Sequence, residues 1–273
     1  MEYSSNMLID THAHLERDSL KEGFTLNDIV DRAALNGVGK IVNASARIND
    51  WNYYSNAVRQ FPNRLYWCVG LHPTEIDDKS ILALDGLCSY FADGEFAPKA
   101  IGEIGLDFYK MEGTKSEIAE KVALQKKVFA RQLEFAKDMD CPVCIHARSA
   151  VLDALEILKK SGIDMSKVVF HCFSGTPDEL KELMQTGARA SFTGIITYKN
   201  AQQMRDCMLC QGLEKLMLET DCPYLAPVPI RGTVNEPANI KHIAEYAAKL
   251  FGISLEEISK ITTLNAENFF GLR

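Results

Sequence analysis

Leu8–His14 reads LIDTHAH, a short apolar run that ends in two histidines separated by one residue. The same grammar recurs along the chain. Lys40–Asn43, Leu65–Gly70, Ala100–Gly102, Val143–Ile145, Val168–Phe170, Ala188–Thr193 and Leu216–Glu219 are further β-prone runs, alternating with segments of helical character. The spacing from run to run, about 20 to 40 residues, fits successive βα units. Several runs are apolar without strict alternation, as expected of parallel strands buried on both faces.

The intervening segments carry helix signals. Thr176-Pro177-Asp178-Glu179 is a capping box with proline at the first helical position, and Ser254-Leu255-Glu256-Glu257 is another box. Ile118, Val122, Phe129, Leu133 and Ala136 share one helical face, and Val151, Leu152, Leu155 and Leu158 share another; both stripes are predicted to face the core. Eight such units predict an α/β chain folded as a (β/α)8 TIM barrel, with one or two extra C-terminal helices. An open doubly wound sheet is the competing architecture, but no Gly-x-Gly-x-x-Gly follows the first run. A length of 273 residues suits one barrel domain spanning 1–273.

Hydrophobic residues make up 47% of the chain and charged residues 25%, enough apolar material for a large core. Thirty Lys and Arg against 37 Asp and Glu give a net charge of −7. That balance argues against a protein that coats nucleic acid through a general basic face, while leaving room for a local basic rim. No apolar stretch approaches the roughly 20 residues that span a bilayer, and the residues before Leu8 lack the basic-then-apolar pattern of a signal peptide. With eight cysteines and no export signal, a reducing, cytoplasmic setting is expected. Cys141/Cys144 and Cys207/Cys210 have the spacing of thiolate zinc ligands. However, Cys144 lies inside the run PVCIH, where alternate side chains point to opposite faces, so these are expected to be small packing residues.

The chemistry lies in where the polar residues fall. Catalytic groups of a barrel enzyme come from the C-terminal ends of several strands. His12 and His14 follow the first run, His72 the third, Glu103 the fourth, His146 the fifth, His171 the sixth and Asp221 the eighth. Five of the six histidines thus sit at run ends, with His242 alone in a helical stretch. A single histidine after a strand is weak evidence, but the barrel would bring all of these ends to one mouth. Imidazoles bind first-row metals and a carboxylate can bridge two ions. Such ions make hydroxide available near neutral pH and stabilise a phosphoryl centre, with Asp221 placed to orient the water and take its proton.

The motifs IDTHAHL, VGLHP, IGEIGLDFY, IHAR, HCFSG, ETDCPYLAP, RGTVNEP and TTLNAENFFGL cover nearly the whole chain in order. Together they resemble the TatD-type metal-dependent deoxyribonucleases of the amidohydrolase superfamily. The resemblance implies two divalent ions, His12, His14 and Asp221 serving one and His146 and His171 the other, with Glu103 bridging. His72 would lie near the substrate phosphate and act there instead of binding metal. It implies cleavage of phosphodiester bonds, often from a 3′ end, with magnesium as the supporting ion and single-stranded or end-presented DNA, or RNA, as partner. Four imidazoles also suit zinc, manganese, nickel or iron.

Arg148 and Arg231 are candidate phosphate contacts, and Ser174 a candidate turn donor. Tyr109 and Lys110 follow the bridging carboxylate on the same loop, and Cys172 and Cys222 are expected to fill space behind the site. Two departures from the family pattern stand out. Thr74 replaces the second histidine of His-Pro-His, and Thr233 and Val234 replace two basic residues, leaving Arg231 as the main cation of that loop. The rival functions are hydrolysis of an ester or amide, such as an aminoacyl-tRNA, and a metal-binding scaffold without turnover. No membrane and no obligatory protein partner is implied.

Overall fold

The computed structural model describes residues 7–16, 24–77 and 79–272. Eight strands run in sequence order around one parallel sheet: β1 (Leu8–Ala13), β2 (Val38–Ala44), β3 (Leu65–Val69), β4 (Ala100–Asp107), β5 (Val143–Arg148), β6 (Val168–Phe170), β7 (Arg189–Phe192) and β8 (Met217–Leu218). The sheet closes where Ala13 bridges Cys222, with Asp221 N–H donating to His12 O at 2.9 Å and His14 N–H to Cys222 O at 2.8 Å. Each of the eight apolar runs is a strand. The chain is a (β/α)8 TIM barrel.

The helices are α1 (Leu26–Leu35), α2 (Ile48–Gln60), α3 (Ser80–Ala83), α4 (Lys115–Asp138), α5 (Val151–Ser161), α6 (Pro177–Gln185), α7 (Gln202–Gln211), α8 (Ile240–Phe251) and α9 (Leu255–Phe270). The Thr176 and Ser254 capping boxes both form. α8 completes the eighth unit, so α9 is the one extra helix. The third unit is irregular, its helix reduced to α3 and a 3-10 segment over Leu84–Ala92. The α4 stripe buries Phe129, Leu133 and Ala136, but Leu152 of the α5 stripe is 47% exposed, beyond the edge of the packed face.

Two cores result. A large one lies between barrel and helices. A smaller one fills the interior at the N-terminal ends of the strands, where Ile9, Val42, Cys68, Ala100, Cys144, Val169 and Met217 meet Ala266, Phe269, Phe270 and Leu272 at the end of the chain. α9 is therefore the plug of the barrel floor. Buried glutamines tie helices to strand ends: Gln132 donates to and accepts from the Leu71 backbone, and Gln125 does the same at Asp107. Unpaired, each of these buried amide groups would cost about 1–3 kcal/mol. Among the described residues no helix is long and apolar enough to cross a membrane.

Candidate metal centre

The barrel brings His12, His14, His72, Glu103, His146, His171 and Asp221 to one cluster at its C-terminal mouth. Glu103 is central, and local backbone explains its aim. The β4–β5 register shifts between Ile101 and Ile104, a bulge that re-aims the residues between them. Gly105, at φ +143°, permits the close approach of the strands, since a Cβ there would fall 2.0 Å from His146 O. Ser45 fixes the same level: its Oγ donates to Gly70 O at 3.1 Å and its carbonyl accepts from Glu103 N–H at 3.1 Å.

The two oxygens of Glu103 face different partners. Oε2 lies 3.3 Å from His12 Nε2 and 3.4 Å from His14 Nε2, and Asp221 Oδ1 lies 3.4 Å from His14 Nε2. Oε1 lies 2.6 Å from His171 Nε2, 2.8 Å from His146 Nδ1 and 3.4 Å from His72 Nε2. Donor separations near 3.4 Å are the edges of a tetrahedron with bonds of about 2.1 Å, the length of a zinc–imidazole bond. Three groupings have all donor atoms within 4.8 Å: His12–His171–Asp221, His12–His14–Glu103 and His72–Glu103–His146.

Charge tells the same story. Burial works against the ionised form of Glu103, yet His171, His72 and His12 hold it well below its usual value. Burial likewise opposes ionisation of Asp221, and His14, His171 and His12 outweigh it. Burial pulls His14 and His171 down, but carboxylate neighbours lift both well above an ordinary imidazole, Asp221 and Glu103 for His14 and Glu103 and Glu219 for His171. His12 and His72, in which burial prevails, are lowered. Without a metal the raised imidazoles, His146 among them, offset the two anions; a divalent ion can take over that charge as the rings give up their protons and offer their lone pairs. The donor set fits a metal.

Further groups back the cluster. His14 Nδ1 meets Ala44 O at 2.9 Å, and His146 Nε2 meets Asp107 Oδ2 at 3.1 Å, partnerships that fix a ligating ring. Glu219, wholly buried, accepts Cys172 N–H at 2.6 Å and the Ser191 hydroxyl at 2.6 Å, and lies 3.6 Å from His171 Nδ1. Asp10 accepts the backbone N–H and hydroxyl of Thr220 at 2.8 and 2.5 Å, and burial pushes its pKa up to about 8. Sequence reasoning missed Asp107, Glu219, Asp10 and Ser45. Asp10, Asp107 and Glu219 each lay inside a quoted motif, IDTHAHL, IGEIGLDFY and ETDCPYLAP, whereas Ser45 carried no signal.

The outer candidates are more scattered. Arg148 stacks on the Tyr109 ring at 3.8 Å and Arg231 on Tyr198 at 4.2 Å, both arginines exposed. Ser174 is exposed in the turn before α6, and Lys110 also lies over Tyr109. Cys172 does not continue β6: it takes φ +43° and its sulfur lies 3.7 Å from Thr193 Oγ1. Cys141, Cys144 and Cys207 are buried and Cys210 is exposed, and no grouping of metal-holding side chains among the described residues includes a cysteine. His242 lies on α8, 3.4 Å from Glu245.

Histidines and carboxylates gathered at the C-terminal mouth of a (β/α)8 barrel define the class of metal-dependent hydrolases. The comparisons narrow the class. The family model described as TatD related DNase matches residues 9–271, and the chain belongs to that family. It is 33% identical over 264 residues to the "uncharacterized metal-dependent hydrolase YabD" of Bacillus subtilis, covering 97% of this chain and 99% of the relative. It is 31% identical over 265 residues to the hydrolase named TatD from Mycobacterium tuberculosis, covering 97% and 98%. Among solved structures, the TatD homologue YJJV of Escherichia coli K12 superposes with a TM-score of 0.83 at 27% identity, over 98% of this chain and 99% of that one.

Proposed function

We propose that this hydrolase cleaves phosphodiester bonds of DNA, working from a single-stranded 3′ end in the cytoplasm, with RNA as the alternative strand. The observation that carries the reading is Glu103, whose two oxygens each face a separate set of donors. In this reading His12, His14 and Asp221 would hold one ion, His146 and His171 would hold the other, and Glu103 would serve both. Magnesium serves in the cell, while zinc, manganese, nickel or iron also suit so many imidazoles. Bound divalent ions supply an ionised water at neutral pH and offset charge on a phosphoryl group.

The chain's own residues do the rest. Asp221, kept ionised by the imidazoles around it, takes the proton of the attacking water. Arg148 and Arg231, each stacked on a tyrosine ring, offer guanidinium edges to phosphates beside the scissile bond. Two such arms suit a polyanion better than a neutral acyl ester, and Ser174 supplies a further polar contact at the rim. The family's own description, TatD related DNase, supports the same bond.

The deciding assay uses end-labelled single-stranded DNA, with chelation and metal add-back, beside a set of acyl esters. A metal-dependent ladder shortening from the 3′ end is expected. Cleavage that survives chelation, or turnover of the esters alone, overturns the reading.

A further inference from the structure

Which ring nitrogen holds the proton decides what a histidine in this cluster can do. The outer partner of each ring reveals it. Ala44 O can only accept, so His14 donates from Nδ1, and Nε2 is the nitrogen it turns to Glu103 and Asp221 at the centre. His146 is turned round, with Nε2 against Asp107 Oδ2 at 3.1 Å and Nδ1 facing Glu103 Oε1 at 2.8 Å, so both of its nitrogens face groups that can only accept. His72 is pinned the opposite way. Its outer nitrogen, Nδ1, lies 3.2 Å from the Thr74 backbone nitrogen and 2.7 Å from Thr74 Oγ1. A backbone N–H can only donate, so Nδ1 is the acceptor, shared with the Thr74 hydroxyl, and the proton sits on Nε2.

We propose that Thr74 is a positioning residue that locks His72 in the Nε2–H tautomer, making His72 a hydrogen-bond donor to a substrate oxygen and removing it from the metal ligands. Proximity alone would group His72 with Glu103 and His146 as a third ligand triad. To ligate through Nε2, His72 would have to move its proton to Nδ1. Two N–H groups would then oppose each other across 3.2 Å; the Thr74 hydroxyl could reverse its role and accept, but the backbone hydrogen bond would be lost. As it stands, the Nε2–H points at Glu103 Oε1 from 3.4 Å, free to turn to a phosphoryl or leaving-group oxygen. Thr74 holds the position at which the family pattern often carries a second histidine; its backbone N–H selects the tautomer, and its hydroxyl, donating to the same Nδ1, steadies the ring without adding another ligand.

The substrate half of this inference rests on the phosphodiesterase reading; the tautomer does not. Ring nitrogens are therefore read first, by 15N–1H correlation spectra of protein labelled at histidine, metal-free and zinc-loaded, with His72→Gln assigning the signal. The expected result is a bare Nδ1 and a protonated Nε2 in both states. An Nδ1–H tautomer, or a His72 signal that moves to the ligated form with zinc, overturns the proposal. Elemental analysis gives a second readout: His72→Gln, whose amide N–H replaces Nε2–H, is expected to keep the wild-type metal content and part of kcat, while His72→Asn keeps the metal and loses kcat. Loss of an ion from both variants overturns it. Thr74→Val should lower kcat about 2- to 10-fold, the worth of one hydrogen bond, with KM and metal content unchanged, and Thr74→Ser should restore it. Equal kcat in Thr74→Val and wild type would end the role of the hydroxyl. If DNA is not cleaved at all while the tautomer is as stated, the substrate reading fails and the lock stands.

Discussion

At the floor of the barrel, Ile9, Val42, Ala100, Cys144, Val169 and Met217 close on Phe269 and Phe270 of α9, an interior with almost no charge. Toward the mouth, the strands and the loops that follow them carry Asp10, Glu103, Asp107, Glu219 and Asp221 with five histidines among them. Backbone conformation divides likewise. The non-glycine residues with positive φ near the floor are Asn63 and Asp140, of the types that tolerate the left-handed region. Those at the mouth are Lys110, Ser149, Cys172, Asp221 and Leu225, mostly residues that do not. Left-handed placement costs an ordinary side chain about 1–2 kcal/mol, and such strain clusters at functional sites. The difference teaches that the fold is held from below and the chemistry is held against resistance above.

If that division is real, mutations at the two ends must fail in different ways. The largest effect is expected at Glu103, the group both donor sets share. Glu103→Ala should cut turnover by more than about 100-fold, because losing even an outer partner of a metal ligand costs 10–100-fold in affinity or activity. Its far-UV circular dichroism should match wild type. Turnover at the wild-type rate would mean that Glu103 joins nothing. Next comes the floor. Phe270→Ala, at a side chain 4% exposed and edge-on to Phe269, should cost about 3–5 kcal/mol in urea unfolding while metal content per folded chain stays the same. Loss of metal from the folded variant would show that the two ends are coupled. Third, chelation should lower the melting temperature, by about 2.7 kcal/mol of stability when the free ion had been at 100 times its dissociation constant. The same decrement should appear in Phe270→Ala, and an unchanged melt would remove the demand for a cation at the mouth.

Much of the floor and the barrel was legible in sequence because burial on both faces writes apolar runs, and a run needs no partner to be recognised. His12, His14, Glu103, His146, His171 and Asp221 were legible from their places beside such runs, although β4 continues to Asp107 and β5 to Arg148, so that Glu103 and His146 lie inside strands and do not end them. Less was legible where structure depends on what lies across space. The bulge between Ile101 and Ile104 leaves only two glycines as a trace. Leu152 shares the periodicity of its stripe, but the edge of a buried face is set by neighbouring helices. Asp10 sits inside β1 and Glu219 just past β8, and neither has a spacing signature. Their partners, Thr220 for one and Cys172 and Ser191 for the other, come from distant segments. The Thr74–His72 contact was hidden in the letters HPT, where the threonine reads as a departure from His-Pro-His until the ring nitrogens are seen.

The smallest effect tests the comparison through pH, to which an apolar floor should be indifferent. Asp50, in the first turn of α2, accepts the backbone N–H groups of Ala46 and Arg47 at 3.1 and 2.7 Å. It thereby shapes the β2–α2 turn, whose Ala46 carbonyl accepts from His72 N–H at 2.9 Å. Burial is the largest influence on Asp50, and with Glu16 nearby it raises the pKa above 3.8 despite those two donors. The folded chain therefore holds this proton more tightly than the unfolded chain. Its contribution to stability is complete below pH 3.8 and declines as pH rises through the raised value, since the slope follows protons bound unfolded minus folded. Asp50→Asn keeps an oxygen for the two N–H groups and cannot ionise. Its stability relative to wild type should therefore increase from about pH 4 upward and then level off. Phe270→Ala should shift the whole curve down by a constant amount. Urea melts of the three proteins across that range would separate the cases: parallel curves for Asp50→Asn and wild type would show that Asp50 carries no proton linkage, and a pH-dependent gap for Phe270→Ala would show that the floor is not electrostatically silent.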